Sequence, residues 1–126
     1  MMARPVRMPA KAKYRAAPTV VDGIRFASKR EAQRYGELKL LEHAGEIERL
    51  TMQPRFPLSA YALPSRPSQN LQVGVYVADF EYYEVSPSGR TSQRVVEDVK
   101  GFRTPLYRWK AKHVLAQYGI QIREVR

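Results

Sequence analysis

Two β-prone runs joined by a tight turn fix the middle of this chain. Val73 to Val85 is rich in Val, Tyr and Phe, Gln93 to Lys100 carries Val95, Val96 and Val99, and Ser86-Pro-Ser-Gly89 between them holds residues that reverse a strand. That pattern predicts a hairpin, and the other elements must be arranged around it. Upstream, Ser28-Lys-Arg-Glu31 matches a capping box, in which a hydroxyl and a carboxylate satisfy orphan amides, and predicts a helix from Lys29 to about Ala44 closed by Gly45. Asp22-Gly23 lies between two short β-prone runs and suits a two-residue type I′ turn, so a small hairpin opens the fold. Glu46 to Met52 reads as a connecting segment or first strand. Gln53 to Asn70, with Pro54, Pro57, Pro64 and Pro67, reads as a strand end followed by an irregular loop. Downstream, Thr104 as N-cap and Pro105 at the first helical position predict a helix to about Tyr118, ended by Gly119, and Ile120 to Val125 reads as a last strand beside the central pair. The order is helix, three strands, helix, strand. Helices on a mixed sheet make an α/β sandwich.

Against this frame two acids are out of place. The chain has three aspartates, and Asp79 and Asp98 fall inside the two strongest strand predictions, where aspartate is depleted. Apolar neighbours surround both, and an unpaired carboxylate there is costly. A divalent cation held between them removes the cost; the alternative is that each acid pairs with an arginine or lies on an exposed edge strand. Positions i and i+2 share a strand face, so Asp98 and Lys100 point together while Glu97 and Val99 point to the other side. Hard oxygen ligands suit Mg2+ or Mn2+, which can activate water and offset charge on a phosphoryl oxygen, and a lysine beside them can orient that water. Phosphodiester hydrolysis is the reaction that needs this set. Glu31 shares a helix face with Tyr35, Leu38 and Leu41, the stripe expected to pack on the sheet, so it is either a further inward carboxylate or only a member of the capping box.

The 22 Lys and Arg against 12 Asp and Glu give a net charge of +10, a field that gathers polyanions. A soluble basic protein without a nucleic-acid role is the plain alternative. Arg103, Arg108, Lys110 and Lys112 follow Lys100 with no acid among them and, with Lys29 and Arg30 at the start of the first helix, are candidates for nucleic-acid contact. Of the interleaved Phe102, Tyr107 and Trp109, Trp109 in particular is expected to be packed in the core. His43 and His113 are isolated, and no Gly-rich phosphate loop occurs. The absence of cysteine excludes disulfides and thiolate chemistry and suits a reducing cytoplasm. Residues 1–17 carry Arg4, Arg7, Lys11, Lys13 and Arg15 without an acid and lead into no apolar signal or membrane anchor. They read as a flexible basic arm, either gripping phosphates or merely solvated, ahead of a single domain over 18–126. A chain of 126 residues has room for one sheet and a few helices, so a larger catalytic apparatus would call for a homodimer.

Together these residues resemble the PD-(D/E)xK nuclease superfamily, in particular its small phage and prophage members. The likeness runs through Lys13-Tyr-Arg-Ala16, Val21 to Ala32, Gln53-Pro-Arg-Phe56, Tyr76-Val-Ala-Asp-Phe80 and Val96-Glu-Asp-Val-Lys-Gly-Phe-Arg-Thr-Pro105. It implies a restriction-endonuclease-like αβββαβ core, a mixed central sheet flanked by helices. Asp79 becomes the motif aspartate, Asp98 and Lys100 the (D/E)xK pair, and Glu31 the acid of the first helix. Ala78 stands where the superfamily's name has proline, a position without a direct chemical part. Glu97 beside Asp98 makes the second acid ambiguous, and the i, i+2 rule selects Asp98. The expectation is a Mg2+- or Mn2+-dependent DNA endonuclease of the cytoplasm. Asp79 and Asp98, helped by Glu31 and the backbone carbonyl near Val99, would bind the metal, and Lys100 would position the water. A branched-DNA or Holliday-junction resolvase of phage recombination or packaging is the natural sub-class. A non-catalytic DNA-binding accessory protein on the same fold is the alternative, and an RNA-directed nuclease a third.

Overall fold

A computed structural model of the chain describes residues 18–63 and 66–126, and side chains outside 61–69. The basic arm expected over residues 1–17 lies outside the described residues. Two compact units divide the chain, one ending at Glu37 and the other running from Leu38 to Arg126.

In the first unit, β1 (Thr19–Val21) and β2 (Ile24–Phe26) pair antiparallel. Asp22 and Gly23 take φ of 52° and 75°, the two left-handed positions that a type I′ turn requires. Ser28 Oγ accepts the Glu31 amide at 3.2 Å and starts helix α1 (Lys29–His43), which continues into the second unit. The Phe26 and Tyr35 rings lie 5.1 Å apart, and the Tyr35 hydroxyl donates to Asp22 Oδ2 at 2.9 Å, so the helix holds the turn. On the stripe expected to face inward, Tyr35 and Leu38 are buried and Glu31 and Leu41 are half-buried.

In the second unit α1 ends at Gly45, whose φ of 80° is the left-handed stop. A four-stranded mixed sheet follows in the order β3-β6-β7-β8, formed by β3 (Ile47–Met52), β6 (Phe80–Val85), β7 (Ser92–Val99) and β8 (Arg123–Val125). The first three strands alternate in direction and β8 runs parallel to β7. A parallel neighbour needs a crossover. Helix α2 (Pro105–Tyr118) provides it, with Thr104 Oγ1 accepting the Tyr107 amide at 3.0 Å and the Gly119 amide donating to Leu115 O at 2.9 Å.

Two segments depart from expectation. Gln53 to Asn70 is not an irregular loop: β4 (Arg55–Leu63) and β5 (Arg66–Val77) form a further antiparallel hairpin. The prolines misled because β4 has a single ladder partner among the described residues, and a position whose N–H would face away from β5 loses no bond as proline. Val73 to Val85 is also not one strand, since β5 ends at Val77 and β6 begins at Phe80. Across the gap the Ala78 amide donates to Pro54 O at 3.1 Å and the Gln53 amide to Asp79 O at 2.9 Å, so β3–β4 and β5–β6 run on as one bent ribbon. Gln53, at φ 54°, absorbs the bend on one side.

Helix α2 packs on β4 and β5. Tyr107 and Val114 of α2 join Phe56, Leu58, Tyr76 and Val96 in one apolar core, while Gln117 and Tyr118 donate to Pro57 O at 3.2 and 2.6 Å and tie the helix to the β4 backbone. This core is the platform under the acids of β7.

Candidate active site

Asp98 is 3% exposed on β7, an interior strand of the sheet. Both of its oxygens have partners: the Tyr76 hydroxyl donates to Oδ2, and Lys100 Nζ lies 3.2 Å from Oδ1. The burial cost is thereby met with no arginine and no exposed edge. Lys100 is where the i, i+2 spacing predicts, on the same face as Asp98. Its ammonium also sits 4.3 Å from the centre of the Tyr107 ring, a cation–π contact that restricts the flexible stem.

Asp79 occupies the interruption between β5 and β6, not the middle of a strand. The last register pair of β6 and β7 on this side is Phe80 with Glu97, and Asp79 lies one residue beyond it. Its amide donates to Glu97 O at 3.1 Å, and its Oδ2 accepts the Val99 amide at 2.7 Å. The side chain thus substitutes for a backbone acceptor, which explains why an aspartate is tolerated where the ladder breaks. Val99 enters the site through its amide.

Tyr76 and Tyr107 complete the surroundings. Burial, and then the hydrogen bond and charge of Asp98 with smaller contributions from Tyr107 and Asp79, push the Tyr76 phenol far above the ordinary tyrosine range. It stays a neutral donor. Tyr107 is raised by burial first and then by its bond to Glu124 Oε2 at 2.9 Å. Glu97, fully buried, accepts the Tyr82 hydroxyl instead.

Among the described residues no three His, Cys, Asp or Glu side chains form a group that could hold a metal. The second unit offers two carboxylates, Asp79 and Asp98, with Asp79 bonded to the residues on either side of Asp98. Such a pair fits a small hard cation that keeps several waters or draws on substrate phosphates, as Mg2+ does, and does not suit an all-protein cage. Glu31, expected as a further ligand, belongs to the first unit.

The basic candidates separate. Arg103 lies 3.6 Å from Glu124, and with Arg108 and Arg126 it lines a cleft of about 390 Å3 that includes Lys100. Lys110 donates to Val75 O at 2.9 Å, and Lys112 is exposed. In the first unit Lys29 is exposed and Arg30 lies 3.5 Å from Glu37. Trp109 is not packed: it is 73% exposed, and Tyr107 fills the core position instead. Sequence reasoning did not find Tyr76, Tyr107 or Glu124, because a tyrosine in a β-prone or helical run signals only burial.

A family model described as a protein of unknown function, DUF1064, matches residues 11–125. No curated protein and no solved structure matches the chain. Among the described residues no helix is long and apolar enough to cross a membrane.

Proposed function

The chain belongs to the DUF1064 family, and we propose that it is a metal-dependent DNA endonuclease with its active site on Asp79, Asp98 and Lys100. The observation that carries this reading is the 3.2 Å pairing of Lys100 with a buried Asp98 that is flanked by Glu97 and Val99, the two residues to which Asp79 bonds. A buried ion pair such as Asp98 with Lys100 is often no more stable than apolar residues of similar volume, so stability alone does not account for it. Asp79 and Asp98 would hold Mg2+ or Mn2+, and a bound ion of this kind lowers the pKa of a coordinated water and offsets charge on a phosphoryl oxygen.

The protein's own groups have distinct tasks. Tyr76 fixes the Asp98 carboxylate by donating to Oδ2, and the Val99 amide fixes Asp79 in the same way. The Lys100 ammonium is positioned to orient an attacking water or a non-bridging phosphate oxygen. Arg103, Arg108 and Arg126 line the cleft beside it and attract the phosphodiester backbone. With the β4–β5 hairpin set aside, the order α1, β3, β6, β7, α2, β8 agrees with the αβββαβ order that the nuclease resemblance implies, and this supports the same reading.

A DNA-binding accessory protein is the second reading, favoured by one observation: Asp98 already has protein partners on both oxygens. Cleavage decides. Supercoiled plasmid, linear duplex and a four-way junction would be incubated with Mg2+ or Mn2+ and wild type, Asp98→Ala, Asp98→Asn or Lys100→Ala. Metal-dependent cutting, reduced on the order of 100-fold or more in each variant, is expected, with the preferred DNA identifying an endonuclease or a junction resolvase. Binding without cutting by wild type would give the accessory reading.

A further inference from the structure

An apolar groove beside α2, bounded on one side by the core residue Leu58, is not used by the proposed chemistry. Leu106, Trp109 and His113 follow one another at spacings of three and four residues and share a helix face, whereas Tyr107 and Val114 are the buried residues of α2. With Leu58 of β4 and Val73 and Gly74 of β5 they enclose a recess of about 390 Å3. Gly74 gives it a floor without a side chain, where an added Cβ would meet nothing within 4 Å. Its walls are unusually open, with Trp109 73%, Leu106 60% and Val73 56% exposed. Contiguous apolar surface of this kind marks a place where something binds.

The charges around the groove select the occupant. His113 Nε2 is bonded to Ser59 O and Lys110 Nζ donates to Val75 O, each at 2.9 Å, so the Lys110 charge meets a carbonyl and not a carboxylate. From Gly101 to Ile122 the chain contains no acid but carries Arg103, Arg108, Lys110 and Lys112. A second copy seated on this face would bring two cationic helices together. A polyanion that also offers flat apolar rings is complementary to it, and a strand with unpaired bases is such a polyanion, whereas a continuous duplex keeps its bases stacked on one another. Arg108 lines the cleft at Lys100 and precedes Trp109 in the chain, so phosphate and ring contacts lie on neighbouring faces of α2.

We infer that the groove between α2 and β5 takes an unpaired base of single-stranded DNA, stacked on Trp109. This rests on the DNA-nuclease reading and gives it a substrate class: DNA with a single-stranded tail, gap or branch. Trp109 is the sole tryptophan, so its emission reports on the groove directly. The full chain would be titrated in EDTA with fluorescein-labelled oligothymidylate and with a blunt duplex, following both Trp emission and anisotropy. The expected result is quenching by oligothymidylate at saturation and little by duplex. Trp109→Ala should weaken oligothymidylate binding about 5- to 150-fold, the effect of one stacked base, with duplex binding within twofold of wild type. Trp109→Phe should recover most of the loss.

Unchanged emission on oligothymidylate binding would overturn the proposal, as would equal weakening of both DNAs by Trp109→Ala. Tighter binding of oligouridylate would reassign the groove to RNA, and a concentration-dependent dimer abolished by Trp109→Ala would reassign it to a second copy. Because these titrations exclude metal, they separate from cleavage. Quenching without cutting leaves the groove and removes the nuclease, and cutting with unchanged emission does the reverse.

Discussion

Removing one hydroxyl tests whether the buried Asp98 is held as an ionised carboxylate. In Tyr76→Phe the ring stays, and with it the packing against Phe56 and Tyr107, whose centroids both lie 6.2 Å from that of Tyr76. Only the donor to Asp98 Oδ2 is lost. A hydrogen bond to a charged acceptor contributes about 1.5–3 kcal/mol, and the site is too buried for water to replace the donor freely, with Tyr76 and Asp98 each 3% exposed. The variant should therefore lose about 1.5–3 kcal/mol, or roughly 6–12 °C in Tm at about 4 °C per kcal/mol for a chain of this size. In an Asp98→Asn background the acceptor is neutral and the same substitution should cost only about 0.5–1.5 kcal/mol. Urea unfolding followed by circular dichroism measures both arms of the cycle; Trp109 emission is a poor reporter of unfolding because the ring is already exposed. A loss under about 0.5 kcal/mol for Tyr76→Phe, or equal losses in the two backgrounds, would refute the charged bond.

Two further outcomes follow from local geometry. Thr104→Ala removes the acceptor for the Tyr107 amide at the start of α2 and should lower stability by about 1 kcal/mol, read as a shift in the urea midpoint with unchanged slope. Glu84 is held below the usual carboxylate range by its hydrogen bond with Arg123, 2.7 Å away, outweighing partial burial. A depressed folded value means that this contribution is present above the unfolded value of about 4.3 and disappears as pH falls through the folded value. Both side chains are over two-fifths exposed, so the contribution is below about 1 kcal/mol. The stability difference between wild type and Glu84→Gln should be measurable at pH 6 and vanish on acidification below the folded value.

Local signals were legible where a single residue type has one conformational use. Asp22-Gly23, Ser28, Gly45, Thr104-Pro105 and Gly119 each set a turn or helix end, and the structure places the elements within a residue or two of expectation. Proline in β4 was misread because its effect depends on which strand edge it faces, a matter of tertiary pairing. The break at Ala78-Asp79 was invisible for the same reason: it is made by hydrogen bonds to Gln53 and Pro54, some 25 residues away in sequence. Asp98 with Lys100 was readable from period-two geometry alone. Tyr76 was not, since its hydroxyl reaches Asp98 from another hairpin. Trp109 was misplaced because helical periodicity fixes which residues share a face and leaves open which face the sheet covers.

The adjacent acids of β7 show how strand geometry assigns chemistry. Glu97 and Asp98 are both buried and both accept a tyrosine hydroxyl, so burial and desolvation do not distinguish them. Alternation does. Glu97 takes its phenol from Tyr82 of the same sheet, whereas Asp98 takes Tyr76 from the β4–β5 hairpin and shares its face with Lys100. Glu97 pairs with Phe80, and Asp79, one residue beyond that pair, bonds to the β7 backbone on either side of Asp98. A one-residue slip of β7 against β6 would turn Asp98 and Lys100 together to the other face and bring Glu97 and Val99 in their place. The present register is held by the Asp79 amide on Glu97 O and the Asp79 carboxylate on the Val99 amide. Asp79 therefore fixes the alignment that presents Asp98 and Lys100 on the face that Tyr76 reaches, whatever further part its carboxylate plays.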